Sequence, residues 1–326
     1  MCTRAVYSGT NGMVATGRSM DWKTEMHSNI WAFPRGMERN GETGENSLRW
    51  TSRYGSVVTS AFEIASTDGI NEKGLVANLL WLPDTQYPAR DKSKPGLTIA
   101  AWVQYMLDNF ATVEEAVSYI KEGSFQVLSE MMPDGSRLAT LHLSVSDATG
   151  DSAIFEYAGA KLMVYHDKEY KVMTNSPTYD KQLALNEYWK SIGGLTFLPG
   201  TNRASDRFAR ASFYINAVPK TDNERIAIAS VFSVIRNTSV PYGISTPQSP
   251  EISTTQWRTV SDSKNLVYFF ESSLTPNTFW VCLHDLDFSK DAPVLKLPIA
   301  DGEIYHGNTA KEFKPAQPFK FMGIQN

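Results

Sequence analysis

Residues 1–22 read MCTRAVYSGTNGMVATGRSMDW. Residues 2–7 form a short β-prone run, Ser8-Gly9-Thr10-Asn11-Gly12 is rich in turn residues, and residues 13–17 resume an extended pattern. The stretch is therefore a hairpin. Its second arm leads into Gly17-Arg18-Ser19-Met20-Asp21-Trp22, so strand pairing returns Arg18 and Asp21 to the neighbourhood of Cys2.

Working outward, residues 56–64 form a further strand. Asn71-Glu72-Lys73-Gly74 makes a turn before the apolar run 75–82, and Pro83, Pro88 and Pro95 punctuate a loop. Helical spacing marks residues 97–110. Thr112-Val113-Glu114-Glu115 is a capping box opening a second helix through Ile120. Residues 138–170 read as a β-meander with turns at 147–150 and 158–160. Three helices are predicted at 179–192, 204–218 and 223–236. A Ser/Thr/Pro-rich loop over 240–255 and strands at 257–260, 266–271 and 279–283 complete the chain. Strands and helices come in blocks joined by hairpins, which favours an α+β fold with antiparallel sheets over a doubly wound parallel one. No internal repeat or linker divides the sequence, so residues 1–326 are expected to form a single domain.

The composition excludes several function classes. The 326 residues carry 31 Lys+Arg and 35 Asp+Glu, a formal net charge of −4, with 42% hydrophobic and 20% charged residues. That is an ordinary globular balance with no basic footprint for nucleic acid. The longest uncharged stretches with apolar character, 95–107 and 272–284, fall short of the roughly 20 apolar residues of a membrane helix. No hydrophobic leader precedes residue 5, although a bare Met can stand where a leader was removed. Cys2 and Cys282 give no disulfide framework.

Phosphate-cradling glycine motifs and the G-x-S-x-G nucleophile elbow are absent. The five histidines (27, 142, 166, 284 and 306) are scattered, with no pair at metal-ligand spacing, and each reads as a surface or core histidine. No metal and no cofactor is expected. Cys2 carries the chemical information. Removal of Met1 would give one residue both a thiol nucleophile and an α-amine with a reference pKa of about 7.7–8.0, able to act as a base without a histidine. A nearby arginine favours the thiolate, and a carboxylate can orient the amine. Taken alone, Cys2 would be an accident of the terminus and Arg18 and Asp21 a surface ion pair.

Five motifs then occur in order: Met-Cys-Thr at the start, residues 17–22, Asn71-Glu72-Lys73-Gly74-Leu75, Thr174-Asn175-Ser176-Pro177, and Leu198-Pro199-Gly200 followed by Ser205-Asp206-Arg207-Phe208. Together they resemble the choloylglycine hydrolase family, which contains penicillin V acylases and bile salt hydrolases. The motifs cover the first two-thirds of the chain. The resemblance implies an N-terminal-nucleophile hydrolase with a four-layer αββα core. Cys2 would be nucleophile and base, Asp21 would hold the amine, and Arg18 would stabilise the thiolate. Asn175 would donate to the tetrahedral oxyanion, and Arg207 would complete the charged cluster.

Two features depart from the bile salt hydrolases. Trp81 stands where they carry Asn, so its backbone N–H would serve the oxyanion while its side chain reshapes the pocket. Only 31 residues separate Asn175 from Arg207, fewer than in the Gram-positive members, whose insertion there supports a tetramer. Both features resemble the Gram-negative, penicillin V acylase-like branch, which can also cleave N-acyl homoserine lactones and is usually exported.

The resulting expectation is hydrolysis of a small linear amide, its aromatic or fatty acyl group held by Met20, Trp22 and Trp81. The alternatives are a conjugated bile salt hydrolase or a non-catalytic binding protein on the same scaffold. The resemblance further implies a homo-oligomer, tetrameric in the family, and a periplasmic location if a leader was removed, a cytoplasmic one otherwise. Neither nucleic acid nor membrane is an expected partner.

Overall fold

The computed structural model describes residues 1–247, 252–275 and 277–324. In chain order the strands begin with β1 (Cys2–Ser8), β2 (Val14–Trp22), β3 (Ile30–Phe33), β4 (Ser56–Ala61), β5 (Ala65–Asn71) and β6 (Val76–Trp81). Helices α1 (Trp102–Asn109) and α2 (Val113–Lys121) follow, then the meander β7 (Leu141–Ser146), β8 (Ser152–Ala158), β9 (Lys161–His166) and the short β10 (Val172–Met173). Helices α3 (Tyr179–Ile192), α4 (Ala204–Ala217) and α5 (Glu224–Asn237) precede β11 (Thr254–Asp262), β12 (Val267–Ser272), β13 (Thr278–Cys282), β14 (Leu295–Leu297), β15 (Gly307–Asn308) and β16 (Lys314–Pro315).

Two sheets result. One runs β10-β1-β2-β11-β12-β13-β15, the other β9-β8-β7-β6-β5-β4-β3-β14-β16. Pairing is antiparallel throughout both, except at the β13–β15 edge. All nine residues of β2 and all six of β6 are buried, the signature of strands covered on both faces. Helices α4 and α5 pack on β1 and β2, and α3 packs on α4; α1 lies on β5 and β6, and α2 on β8 and β9. The order of layers is helices, sheet, sheet, helices, so the expected αββα α+β fold is what the chain adopts.

Two glycines let the helices approach. A Cβ on Gly17 of β2 would stand 2.6 Å from Val231 Cγ1 and 2.7 Å from Ile235 Cγ1 of α5. Gly69 does the same for β5, where a Cβ would meet Val57 O at 2.6 Å and Leu107 of α1 at 2.9 Å. The opposite faces meet across a polar layer. Thr16 bonds Ser146 at 2.7 Å, and Tyr268 bonds Thr59 at 2.7 Å while donating to Asp68 at 2.5 Å. Two fully buried arginines reach from one sheet to carbonyls of the other: Arg4 donates to Val145 O at 3.1 Å and Arg18 to Leu79 O at 2.7 Å.

Three sequence expectations need correction. The strand expected over 56–64 stops at Ala61, because Phe62 and Glu63 take positive φ (53° and 54°) in a tight turn into β5. The helix expected over 97–110 begins at Trp102: Gly96–Thr98 pairs in parallel with Gln126–Leu128, and Thr98 accepts from Ala100 N–H to cap a single 3₁₀ turn. That pairing is non-local and outweighs the helical periodicity. The loop expected over 240–255 gives way to β11 at Thr254, and its residues 248–251 lie outside the described ones. The Thr112 cap forms as expected, accepting from Glu115 N–H at 3.2 Å, although Glu115 turns its carboxylate to Ala111 N–H rather than to the cap. Among the described residues no helix is long and apolar enough to cross a membrane.

Gly17→Ala is expected to lower stability by about 1–3 kcal/mol through overpacking against α5. A urea titration should show an earlier midpoint with an unchanged slope.

Candidate active site

The pairing of β1 with β2 sets the site. Cys2 lies opposite Met20 and Arg4 opposite Arg18. Because side chains alternate along a strand, Cys2, Arg4, Arg18, Met20 and Trp22 share the face toward the second sheet, whereas Thr3, Gly17, Ser19 and Asp21 face the helices. The thiol and the backbone nitrogen of Cys2 thus meet different surroundings.

On the sheet side, Cys2 Sγ lies 3.8 Å from Met20 Sδ and 3.9 Å from an Arg18 guanidinium nitrogen. That guanidinium is fixed by Leu79 O, sits 4.8 Å from the Trp257 ring centroid and stands 3.9 Å from Asp68. Asp68 is fully buried, and burial pushes its carboxyl up from the ordinary range against the pull of Arg18.

On the helix side, the Cys2 N–H donates to Asn175 Oδ1 at 2.8 Å. Arg207, in the first turn of α4, donates to Cys2 O at 2.5 Å, Thr3 Oγ1 at 2.6 Å and Asn175 Oδ1 at 2.6 Å. Its guanidinium is completely buried, and burial lowers its pKa while Asp21, at 3.9 Å, holds it up. Asp21 accepts from Thr255 Oγ1 at 2.6 Å through Oδ1, but its buried Oδ2 accepts no hydrogen bond. The Met1 ammonium donates to Asp21 O at 2.8 Å, and burial lowers its pKa.

The oxygen-binding candidates come from β6. Leu82 N–H donates to Thr140 O across the ladder, so Trp81, one residue earlier, turns its N–H and C=O away from β7. On that other side the ladder with β5 ends at the Asp68–Asn78 pair. The backbone groups of Leu79 and Trp81 are thereby left for the site: Arg18 takes Leu79 O, and Asn175 Nδ2 donates to Trp81 O at 2.6 Å. One hydrogen of the Asn175 amide is so used, and the second is available.

Where β5 and β6 part, an apolar cleft of about 640 Å³ opens, with Cys2 in its wall. Met20, Trp22, Leu79 and Trp81 line it, and among the described lining residues Thr67 carries the one hydroxyl. The Trp22 and Trp81 rings pack at 5.3 Å between centroids, tilted by 56°.

All eight residues singled out in the sequence therefore gather here: Cys2, Arg18, Met20, Asp21, Trp22, Trp81, Asn175 and Arg207. Several others did not show. Thr255 carries Asp21. His142 is a buried core histidine that bonds Glu156 at 2.8 Å and Thr174 O at 3.0 Å, while Glu156 accepts from Tyr179 N–H at 2.8 Å. Gln182 donates to Ser176 O at 2.9 Å. Together they fix the segment that presents Asn175. No motif announces them: the Thr255 and His142 contacts join residues distant in the chain, and the Gln182–Ser176 bond, six residues long, follows no recognised pattern.

Comparison with known proteins gives the family. Residues 2–296 match the family model for linear amide C–N hydrolases of the choloylglycine hydrolase family. The chain is 49% identical to a penicillin V acylase of Pectobacterium atrosepticum, over 99% of this chain and 92% of that one. It is 27% identical to a bile salt hydrolase/transferase of Clostridium perfringens, over 83% and 89% of the two. Among solved structures, the penicillin V acylase from Agrobacterium tumefaciens superposes with a TM-score of 0.93 at 58% identity, covering 99% of this chain and 100% of that one. A mutant of the conjugated bile acid hydrolase of C. perfringens shares the fold, with a TM-score of 0.78 at 23% identity over 91% and 96% of the two chains.

Thr255→Val would strip Asp21 of its one hydrogen bond and Val240 N–H of its acceptor, at 2.6 and 2.8 Å. The expected cost is about 1–3 kcal/mol. Denaturant unfolding should register it, and Thr255→Ser should restore most of the loss.

Proposed function

Because the chain belongs to the choloylglycine hydrolase family of linear amide C–N hydrolases, we propose that it is an acylase of the penicillin V acylase type, acting through Cys2. The observation that carries the reading is the division at Cys2: its thiol opens on an apolar cleft faced by two tryptophans, and its nitrogen lies among Asn175, Asp21 and Arg207.

In this reading Met1 is removed, and the freed α-amine of Cys2 takes the thiol proton. Asp21 Oδ2, which accepts no hydrogen bond among the described residues, becomes the acceptor for that amine, and Arg18 stabilises the thiolate. The sulfur attacks the amide carbon, and the carbonyl electrons move to oxygen. The second hydrogen of Asn175 Nδ2 and the Trp81 N–H then donate to the oxyanion, where one lost donor typically costs about 10²–10³ in rate. Collapse breaks the C–N bond as the ammonium gives its proton to the leaving nitrogen, leaving an acyl thioester. Water adds to this thioester with the amine again as base, releasing the acid and the free thiol.

Arg207 keeps Cys2 O and Asn175 Oδ1 in place. Met20, Trp22 and Trp81 receive the acyl group, a task suited to an apolar pocket with few polar donors. Assembly as a homotetramer and a periplasmic location, if a leader is removed ahead of Cys2, go with this reading by family resemblance.

Turnover of penicillin V, with its aromatic phenoxyacetyl group, is expected to exceed that of glycocholate in a hydrolysis panel that also holds a long-chain acyl homoserine lactone. Equal or faster cleavage of glycocholate would favour the bile salt hydrolase instead.

Active protein is expected to begin at Cys2, with Met1 missing from the intact mass. An extra residue kept in front of Cys2 should abolish turnover, because an amide nitrogen has delocalised its lone pair and accepts no proton. Normal hydrolysis by a blocked protein, confirmed by mass, would refute the self-activated cysteine.

A further inference from the structure

The polar layer between the sheets holds a carboxylate that the mechanism above does not use. Asp68 of β5 is fully buried, and each of its oxygens accepts from a neutral donor: Tyr268 OH of β12 on Oδ1 at 2.5 Å and Asn78 Nδ2 of β6 on Oδ2 at 2.7 Å. Thr59 steadies the tyrosine hydroxyl at 2.7 Å. An ionised carboxylate is acceptor-only, so a donor on each oxygen suits the charged form. Burial pushes the carboxyl up, and Arg18 and these donors pull it back.

Arg18 is the link from Asp68 to the nucleophile. Its Nη2 donates to Leu79 O at 2.7 Å and lies 3.9 Å from Cys2 Sγ, while its Nη1 lies 3.9 Å from Asp68 Oδ2. One guanidinium therefore faces an acid at each end of its fork. Among the described residues Nη1 donates no hydrogen bond. Leu79 O and the Trp257 ring, 4.8 Å from the guanidinium carbon, fix the side chain in place, so Asp68 acts on Arg18 through charge rather than through a bond.

We propose that Asp68 is a positioning residue acting through Arg18: it offsets the guanidinium charge, so that the Cys2 proton stays on sulfur until the α-amine takes it. The proposal rests on the acylase reading above and deepens it. With Asp68 ionised, loss of the thiol proton takes the trio Cys2, Arg18 and Asp68 from neutral to one net negative charge. A neutral residue at 68 would make that step a passage from one positive charge to neutral, an easier change in a buried layer. The nucleophile is thus formed as the amine takes the proton and is not a standing thiolate in the cleft wall. The other charged groups near Cys2 stand apart from this path. Asp21 and Arg207 lie on the helix side with its nitrogen, and Arg4 donates to Val145 O and Tyr170 O. His142 is bound to Glu156 and Thr174 O, and Arg137 lies over the Trp81 ring. Among the described residues none of these makes an ion pair or a hydrogen bond with Asp68.

The test uses the full-length processed enzyme and iodoacetamide, which reacts with the thiolate. Alkylation is followed by mass at the peptide that begins with Cys2, so Cys282 does not enter. Asp68→Asn, close in shape but neutral, should move the pH of half-maximal alkylation down by about one unit. Asp68→Glu keeps the charge and should stay near the wild-type profile. In an Arg18→Met background the shift caused by Asp68→Asn should largely vanish, because the charge acts through the guanidinium. An unchanged profile in Asp68→Asn, an equal shift in Asp68→Glu, or a full shift without Arg18 overturns the proposal. Should Asp68→Asn lack a cooperative unfolding transition, Asp68→Ser replaces it with the same expectation; failure of both to fold makes Asp68 a structural ion and overturns the proposal too. Hydrolysis of penicillin V is measured on the same preparations. Wild-type protein that does not cleave it fails the acylase reading, whereas the alkylation profile decides the part played by Asp68.

Discussion

The register of the first hairpin is the constraint on which the rest of the molecule depends. Opposing Cys2 to Met20 places the thiol between the sheets and leaves the nitrogen of the same residue among groups on the helix side. A slip of one residue would reverse every side chain of β1. Cys2 would then face α4, Thr3 and Ala5 would face the cleft, and Arg4 would lose the carbonyl it reaches on the second sheet. The register is held firmly because both faces of β1 and β2 are buried, and because Arg4, Arg18 and Arg207 each tie the hairpin to another element.

Burying three guanidinium groups is costly, and ion pairing alone does not meet the cost. Arg18 and Arg207 stand 3.9 Å from their carboxylates, while their shorter bonds go to backbone carbonyls and neutral side chains. These contacts specify position more than they add stability. Asn175 shows the result most clearly: its amide is gripped at both ends, by Cys2 and Arg207 on the oxygen and by Trp81 O on the nitrogen. A group so held needs little reorganisation when charge develops beside it.

What could be read from the sequence follows the range of the interactions. The hairpin, the Thr112 cap and helices α3 to α5 are fixed by neighbours a few residues apart, and their limits emerge within a residue or so. The delayed start of α1 and the short strand β3 depend on partners 23 or more residues away, beyond the reach of periodicity. The site divides in the same way. Cys2, Arg18 and Asp21 are legible because one hairpin joins them. Asn175 and Arg207 stand out through the resemblance of their motifs, while Thr255 and His142 reach the site from strands that carry no signature.

The parting of β5 and β6 beyond Asn78 gives residue 81 a double position. Its side chain forms a wall of the apolar cleft, whereas its main chain accepts from Asn175 and turns its N–H to the same side. Main-chain groups are the same for every residue except proline. The side chain at this position can therefore be exchanged while the polar groups beside Cys2 keep their places. On the acylase reading, an exchange of the side chain at residue 81 therefore alters the fit of the acyl group without removing the main-chain groups that face Cys2.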